Sequence, residues 1–193
     1  MDVAALLLTG GRSRRMGRDK AGLLVGGRTL AQRTADLLRR AGLGGPLLEL
    51  GPGVSDLEAV PDARPGAGPL AAVATGVAAL RGAGFAGAAL VVATDLPRLE
   101  VELLTWLGAH PGPGSVVPVR GGRPQWLCAR YGAAALDAAG PLVASGRTAL
   151  RELAGAAPLH LAEPGEWLHG SLHPGVLDDV DTPDDLAGAG VGP

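Results

Sequence analysis

The sequence predicts a single-domain, three-layer α/β/α fold, doubly wound around a mostly parallel sheet. Two observations carry this. Short, continuous apolar runs of strand length alternate with amphipathic, helix-length segments from Val3 to Leu107, the pattern of βαβ units with a sheet covered on both faces. Three polar clusters stand directly after apolar runs, at the Gly10 to Lys20 loop, Thr94-Asp95 and Asp178-Asp179-Val180-Asp181. In a doubly wound sheet, ligands bind beyond the carboxyl ends of the strands, so these clusters are expected on one rim.

The elements follow in order. Val3 to Leu8 is short, apolar and uninterrupted, which predicts a buried strand. Thr29 is placed to cap a helix carrying Leu30, Thr34, Leu37 and Leu38 on one face and closed by Gly42. Leu47 to Leu50 and Glu58 to Val60 are expected as the next strands, followed by Pro61-Asp62 and a loop from Ala63 to Gly68. Pro69 suits the first position of a helix reaching about Arg81, with Leu70, Val73, Val77 and Leu80 as its buried stripe. Ala88 to Ala93 is a strand ending at Thr94-Asp95-Leu96-Pro97, and Val101 to Leu107 a helix. Val116 to Val119 and Gln125 to Tyr131 are expected as strands joined through Arg120-Gly121-Gly122-Arg123-Pro124. Helical segments are expected around Ala133 to Ala139 and Thr148 to Leu153, and a short strand at Leu159-His160-Leu161. An apolar strand running into Asp178 and a short helix from Pro183 to Leu186 complete the domain, which spans residues 1–187, with 188–193 as a frayed tail.

Composition narrows the class. The chain has 193 residues, 47% of them hydrophobic, and a mean hydropathy of +0.23, which excludes a disordered chain. No apolar run approaches the roughly 20 residues needed to span a bilayer. The apolar start has no basic leader, so it does not read as a secretion signal. A net charge of −2 gives nucleic-acid binding no support. The single cysteine, Cys128, excludes an internal disulfide and a cysteine-cluster metal site, and its apolar surroundings read as a core thiol. A cytoplasmic location fits these features, with neither a membrane nor a nucleic acid as partner. Glycine numbers 32 residues, so isolated glycines carry little functional meaning here.

The most informative segment is Leu8-Thr9-Gly10-Gly11-Arg12-Ser13-Arg14-Arg15-Met16-Gly17-Arg18-Asp19-Lys20. Paired glycines let the backbone turn sharply and approach a ligand closely. Five basic residues within nine positions, Arg12 to Lys20, supply charge for something strongly anionic. It is not a Walker loop, which needs Gly-Lys-Ser/Thr after four spacers, and it is not a dinucleotide fingerprint, because Arg and Met occupy the glycine places.

The pattern Leu-x-Gly-Gly-x-Ser-x-Arg-Met-Gly-x-Asp-Lys resembles the signature loop of the sugar-nucleotide-like nucleotidyltransferases, and most closely that of the molybdenum cofactor guanylyltransferases. The resemblance runs from Leu6 to about Leu186 and implies a Rossmann-like nucleotidyltransferase fold. It implies that Leu8, Thr9, Gly10, Gly11 and Ser13 lie against the nucleotide, the backbone amides near base and phosphates. It further implies that Arg15 and Lys20 lie along the triphosphate as catalytic groups, stabilising charge on the transferred phosphoryl group and on pyrophosphate. Arg12, Arg14 and Arg18 divide between surface charge and contact with a second phosphorylated substrate.

Asp95, at the carboxyl end of a strand, is a candidate Mg²⁺ ligand; the resemblance implies that it also touches the nucleotide and is catalytic, and the alternative is a helix cap ahead of Pro97. Asp62 precedes Gly68-Pro69-Leu70, as a nucleotide-contacting aspartate does in the family, or is a plain turn aspartate. Asp181, in Asp179-Val180-Asp181-Thr182-Pro183, is a second metal candidate or a cap for the helix at Pro183. Guanylyltransferases often carry asparagines here, and the Asp-x-Asp-Thr-Pro form is common among cytidylyltransferase relatives. The family's asparagine after the second strand is absent, Leu50-Gly51-Pro52 standing there. Arg120 to Gln125 resembles a family segment near the acceptor or is a simple hairpin turn. Gly146 to Leu150 resembles another acceptor-side segment. His110, His160, His169 and His173 show no ligand spacing.

The reaction implied is transfer of GMP from GTP to molybdopterin, preferably molybdenum-loaded (Mo-molybdopterin), with Mg²⁺ as cofactor and pyrophosphate as leaving group. Molybdenum-insertion proteins and molybdoenzyme apoproteins are implied as partners. The alternatives are a CTP-dependent molybdopterin cytidylyltransferase, another sugar- or alditol-phosphate nucleotidyltransferase, and a non-catalytic nucleotide-binding scaffold.

Overall fold

The computed structural model describes residues 2–10, 24–25, 27–170 and 172–180. Its elements are β1 (Val3–Leu8), β2 (Leu24–Val25), β3 (Arg28–Thr29), α1 (Leu30–Arg40), β4 (Gly44–Leu50), β5 (Glu58–Val60) and α2 (Pro69–Gly82). There follow β6 (Ala89–Ala93), α3 (Val101–Ala109), β7 (Ser115–Arg120), β8 (Arg123–Pro124) and β9 (Cys128–Tyr131). The remainder comprises α4 (Ala133–Asp137), α5 (Ala139–Ala144), a 3₁₀ helix (Leu150–Gly155), β10 (Leu159–Ala162) and α6 (Pro164–Trp167).

The main sheet has the order β10-β7-β9-β6-β1-β4-β5, with β8 paired to β7 alone. β1, β4, β5 and β6 are mutually parallel, and β10 is parallel to β7. β9 runs antiparallel between β6 and β7. The chain therefore leaves β1 to one side through α1 and returns to its other side through α2, which puts a switch in strand order at β1, where Leu8 is level with both Leu50 and Ala93.

All six residues of β1 are buried, and they divide by parity, as a pleated strand requires. Val3, Ala5 and Leu7 pack with Ala35 and Leu38 of α1 and with Leu103, Leu104 and Leu107 of α3. Ala4, Leu6 and Leu8 pack with Leu70, Val73, Val77 and Leu80 of α2 and with Leu136 and Ala139 beyond it. Two apolar layers on opposite faces make the three-layer sandwich. Burying each such Leu or Val contributes about 1.5–3 kcal/mol, so the stripes hold the helices on the sheet.

Local signals place the ends. Thr29 caps α1 as expected, in a reciprocal box with Gln32. Pro69 opens α2, whose predicted stripe is buried.

Four expectations need correction. Gln125 to Tyr131 is not one strand. Gly121 and Gly122, with φ of 55° and 74°, close a tight hairpin that pairs Arg123 with Arg120, and β9 starts only at Cys128. That is the hairpin-turn reading of Arg120 to Gln125. The helix after Ala133 breaks at Ala138 and resumes as α5, which Gly140-Pro141 had obscured. Thr148 to Leu153 is a 3₁₀ segment from Leu150 to Gly155. Val176 and Leu177 form no strand: His173 O accepts the Val176 amide, making a turn whose apolar side chains are buried. Pro174 and Gly175 leave too short an apolar run for a strand to begin. The expected helix from Pro183 and the tail lie outside the described residues. Among the described residues no helix is long and apolar enough to cross a membrane.

Candidate functional site

The rim at the carboxyl ends of β1, β4 and β6 gathers the predicted polar clusters as far as they are described. Leu8 and Thr9 are buried, 7% and 4% exposed, so their side chains shape the floor. The Thr9 and Gly10 amides both donate to Leu50 O, at 3.2 and 3.3 Å. These two residues therefore offer a ligand close backbone approach, their N–H groups being directed into β4. Gly11, Ser13, Arg15 and Lys20 lie outside the described residues, as do Arg12, Arg14 and Arg18.

Asp95 follows β6 by two residues, and its carbonyl accepts the Val180 amide at 2.9 Å. The helix-capping alternative for Asp95 is not what the chain does: α3 begins at Val101, with Glu100 in the cap position. The Val180–Asp95 bond brings the last described segment onto the same rim as Thr9 and Gly10. Asp181, the residue after Val180 in the chain, lies outside the described residues. Asp178 is held by a two-pronged contact with Arg120, Nε to Oδ1 at 3.0 Å and Nη2 to Oδ2 at 3.2 Å. Asp62 accepts the Arg64 amide at 2.9 Å, the local bond of a turn aspartate, and follows β5 on the far side of β4.

A cavity of about 380 Å³ lies beside this rim, lined by Pro69, Gln125, Trp126, Thr148, Leu150 and Arg151 among others. Both segments read as acceptor-side, Arg120 to Gln125 and Gly146 to Leu150, contribute to it. The Leu70 amide donates to Thr148 O at 3.1 Å, fixing the start of α2 against the second segment. The Tyr131 hydroxyl donates to Trp126 O at 2.7 Å, fixing the first.

One residue escaped the sequence reading. Glu49, in the apolar β4 run, is fully buried and bonded to Thr9 and to the turn after β4. The available signal was a carboxylate interrupting a strand otherwise apolar on that face, followed by Gly53-Val54-Ser55. Burial alone would raise its pKa, but hydrogen bonds from the Ser55 and Thr9 hydroxyls and the Val54 and Ser55 amides together hold it below the ordinary carboxylate value.

Cys128, level with Val92 near the end of β6, is buried, and burial, with the Asp95 charge adding to it, pushes the thiol up to about 12, which removes it as a nucleophile near neutral pH. His110 and His160 stack at 5.5 Å, and His160 Nε2 meets Glu166 Oε2 at 2.7 Å. This pair sits by the amino end of β7, the opposite end of the sheet from the rim. Among the described residues no group of three His, Cys, Asp or Glu side chains is arranged to hold a metal.

Residues 5–159 match the MobA-like NTP transferase domain. The chain is 43% identical over 126 residues to a probable molybdenum cofactor guanylyltransferase of Opitutus terrae, covering 60% of this chain and 59% of that protein. It is 35% identical over 198 residues to a probable molybdenum cofactor guanylyltransferase of Mycobacterium bovis, covering 90% of this chain and 94% of that protein. Among solved structures, molybdopterin-guanine dinucleotide biosynthesis protein A from Archaeoglobus fulgidus superposes with a TM-score of 0.75 at 21% identity, over 97% of this chain and 96% of that one.

Proposed function

The chain belongs to the MobA-like NTP transferase family, and from that premise we propose that it transfers GMP from GTP to molybdopterin, preferably molybdenum-loaded, releasing pyrophosphate. The observation that carries the proposal is the rim itself. The start of the glycine-rich loop at Thr9-Gly10, the Asp95 strand end and the segment ending at Val180 meet there, beside a cavity of about 380 Å³. Relatives bearing the guanylyltransferase name align over nearly the whole chain.

In this reading the acceptor occupies the cavity between Trp126, Gln125 and Thr148. Its terminal phosphate oxygen attacks the α-phosphorus of GTP, a P–O bond forms, and the bond to the β-phosphate bridging oxygen breaks. The attacking phosphate is already an anion at neutral pH, so alignment and charge neutralisation supply most of the acceleration. Arg15 and Lys20 lie along the triphosphate, Lys20 stabilising the leaving pyrophosphate. Leu8, Thr9, Gly10, Gly11 and Ser13 line the nucleotide, and Asp62 contacts it from the β5 side. Asp95 and Asp181 would hold Mg²⁺, a hard ion suited to carboxylate oxygens, and the Val180–Asp95 bond at 2.9 Å brings the two stretches of chain together. When bound, the ion supplies neutralisation of charge on the phosphates.

Labelled GTP incubated with molybdopterin, Mg²⁺ and the protein is expected to yield labelled dinucleotide and pyrophosphate. Asp95→Ala is expected to reduce the rate at least a hundredfold, by analogy with removal of one group that stabilises transition-state charge. Absence of product, or an undiminished rate in Asp95→Ala, overturns the proposal. Gly51 favours keeping CTP as a second donor, because an asparagine cannot stand at this position without displacing Thr9: the Cβ would lie 2.1 Å from Thr9 Oγ1. Competition of CTP against GTP decides between the two. Nucleotide binding without pyrophosphate release points instead to a scaffold.

A further inference from the structure

Glu49 stands where the fold calls for an apolar side chain. Leu48 and Leu50, its neighbours on β4, are buried in the layer formed with α2. Glu49 points to the opposite layer, built from Leu7, Leu38, Leu103 and other apolar residues, yet it is a carboxylate with 0% exposure. Its Oε1 accepts bonds from Thr9 Oγ1 at 2.6 Å, Gly53 N at 2.7 Å and Val54 N at 2.9 Å. Its Oε2 accepts from Ser55 N at 2.7 Å and Ser55 Oγ at 2.5 Å. Among the described residues its donors are two hydroxyls and three amides, with no ammonium or guanidinium group.

A buried charge is expensive to remove from water and is kept only where hydrogen-bond donors converge on it. Filling space in the apolar layer is therefore no reason for a carboxylate here. Its bonds have another common property, which is that they end on the two backbone segments at the rim. Thr9 belongs to the end of β1, immediately before the glycine-rich loop, and 53–55 form the turn after β4. Between them, Leu50 O accepts the Thr9 and Gly10 amides, and the Gly51 amide donates to Val60 O at 3.2 Å. A Cβ on Gly10 would meet Leu50 O and Gly51 Cα at 3.7 and 3.9 Å, so the two backbones are in contact there.

We infer that Glu49 is a positioning residue for the nucleotide: its buried carboxylate locks Thr9-Gly10 and the 51–55 turn into one wall against which the donor nucleotide binds. The inference rests on the reading that this rim takes the nucleotide. Glu49 touches no reacting atom in this role. It acts through Thr9 and the turn, so its loss is expected to weaken nucleotide binding with little effect on the acceptor.

The test compares wild type, Glu49→Gln and Glu49→Leu. GTP and CTP affinities are measured by calorimetry without acceptor, and KM for each substrate and kcat are measured in the full reaction. Leu107→Ala, on the far side of the α3 layer, controls for general loss of stability. Both Glu49 variants are expected to lose at least tenfold in nucleotide affinity and KM, with acceptor KM within twofold and kcat little changed. Glu49→Leu, which leaves five donors without their acceptor, is expected to lower Tm as well, and the Leu107→Ala control, itself lowered in Tm, to keep wild-type nucleotide KM. Wild-type nucleotide affinity in both Glu49 variants overturns the inference alone. A parallel rise in both KM values, reproduced by Leu107→Ala, overturns it as well, by making the role merely structural. A wild-type protein that binds neither nucleotide overturns the functional reading, and this inference with it.

Discussion

Adding one methyl group at Gly51 tests the close approach of β1 and β4 at the rim. In Gly51→Ala the new Cβ would lie 2.1 Å from Thr9 Oγ1, 3.0 Å from Gly10 N and 3.3 Å from Thr9 C. Thr9 Oγ1 cannot move aside without leaving Glu49, to which it donates at 2.6 Å. Losing a hydrogen bond to a charged group costs about 1.5–3 kcal/mol, and overpacking about 1–3 kcal/mol. Relieving the second requires the first, so the two overlap, and a loss of about 2–4 kcal/mol is expected. At about 2–4 °C per kcal/mol for a chain of this size, Tm falls by roughly 5–15 °C. The assay is a double-mutant cycle of Gly51→Ala and Thr9→Ala by urea unfolding. Removing the hydroxyl removes the nearest obstacle, so the double variant is expected to be more stable than the summed single losses by about 1–3 kcal/mol. Additivity within about 0.5 kcal/mol, or a Gly51→Ala protein as stable as wild type, refutes the reasoning.

Four further outcomes follow from the same geometry. Glu49 has a folded pKa below its ordinary value of 4.5, so its stabilisation is present above that value and is lost as pH falls through the lower folded pKa. Wild type is therefore expected to lose stability below about pH 4.5 more steeply than Glu49→Gln in acid unfolding curves. Cys128 has the opposite sign, its pKa raised from 9.0 to about 12. Stability should fall with a slope of up to about 1.4 kcal/mol per pH unit above pH 9, a dependence that Cys128→Ala flattens, and the native thiol should resist disulfide reagents near pH 8 until the protein unfolds. Leu107→Ala, at a fully buried position near the carboxyl end of α3, should cost about 2–5 kcal/mol in denaturant unfolding while leaving nucleotide KM unchanged. Arg120→Ala breaks a part-exposed ion pair with Asp178 and should cost no more than about 1 kcal/mol, an effect reduced further in high salt.

The elements legible in the sequence are those whose partners are implied by their own periodicity. The apolar run of β1 and the stripe Leu70, Val73, Val77 and Leu80 of α2 each announce a face that must be covered, and Thr29 announces the helix that starts at Leu30. Burial of these faces is settled by composition before any contact is known. Of the candidate site, the places of Thr9-Gly10, Asp62 and Asp95 just after strands were legible, because each follows an apolar run of strand length. The insertion of β9 between β6 and β7 was not, because strand neighbours along the chain need not be neighbours in the sheet. Nor was the turn at Val176, where apolar residues are buried without being in a strand.

Glu49 shows where local reading stops. By itself the sequence determined that a doubly wound α/β domain would place Thr9-Gly10 and Asp95 at strand ends, since hydrophobic periodicity and turn chemistry act within a few residues. Only the tertiary structure decided that a carboxylate inside an apolar strand would be satisfied by Thr9, 40 residues earlier, and by the turn that follows it. A buried charge is tolerable only where its donors converge in space, and convergence across that separation is a property of the folded sheet.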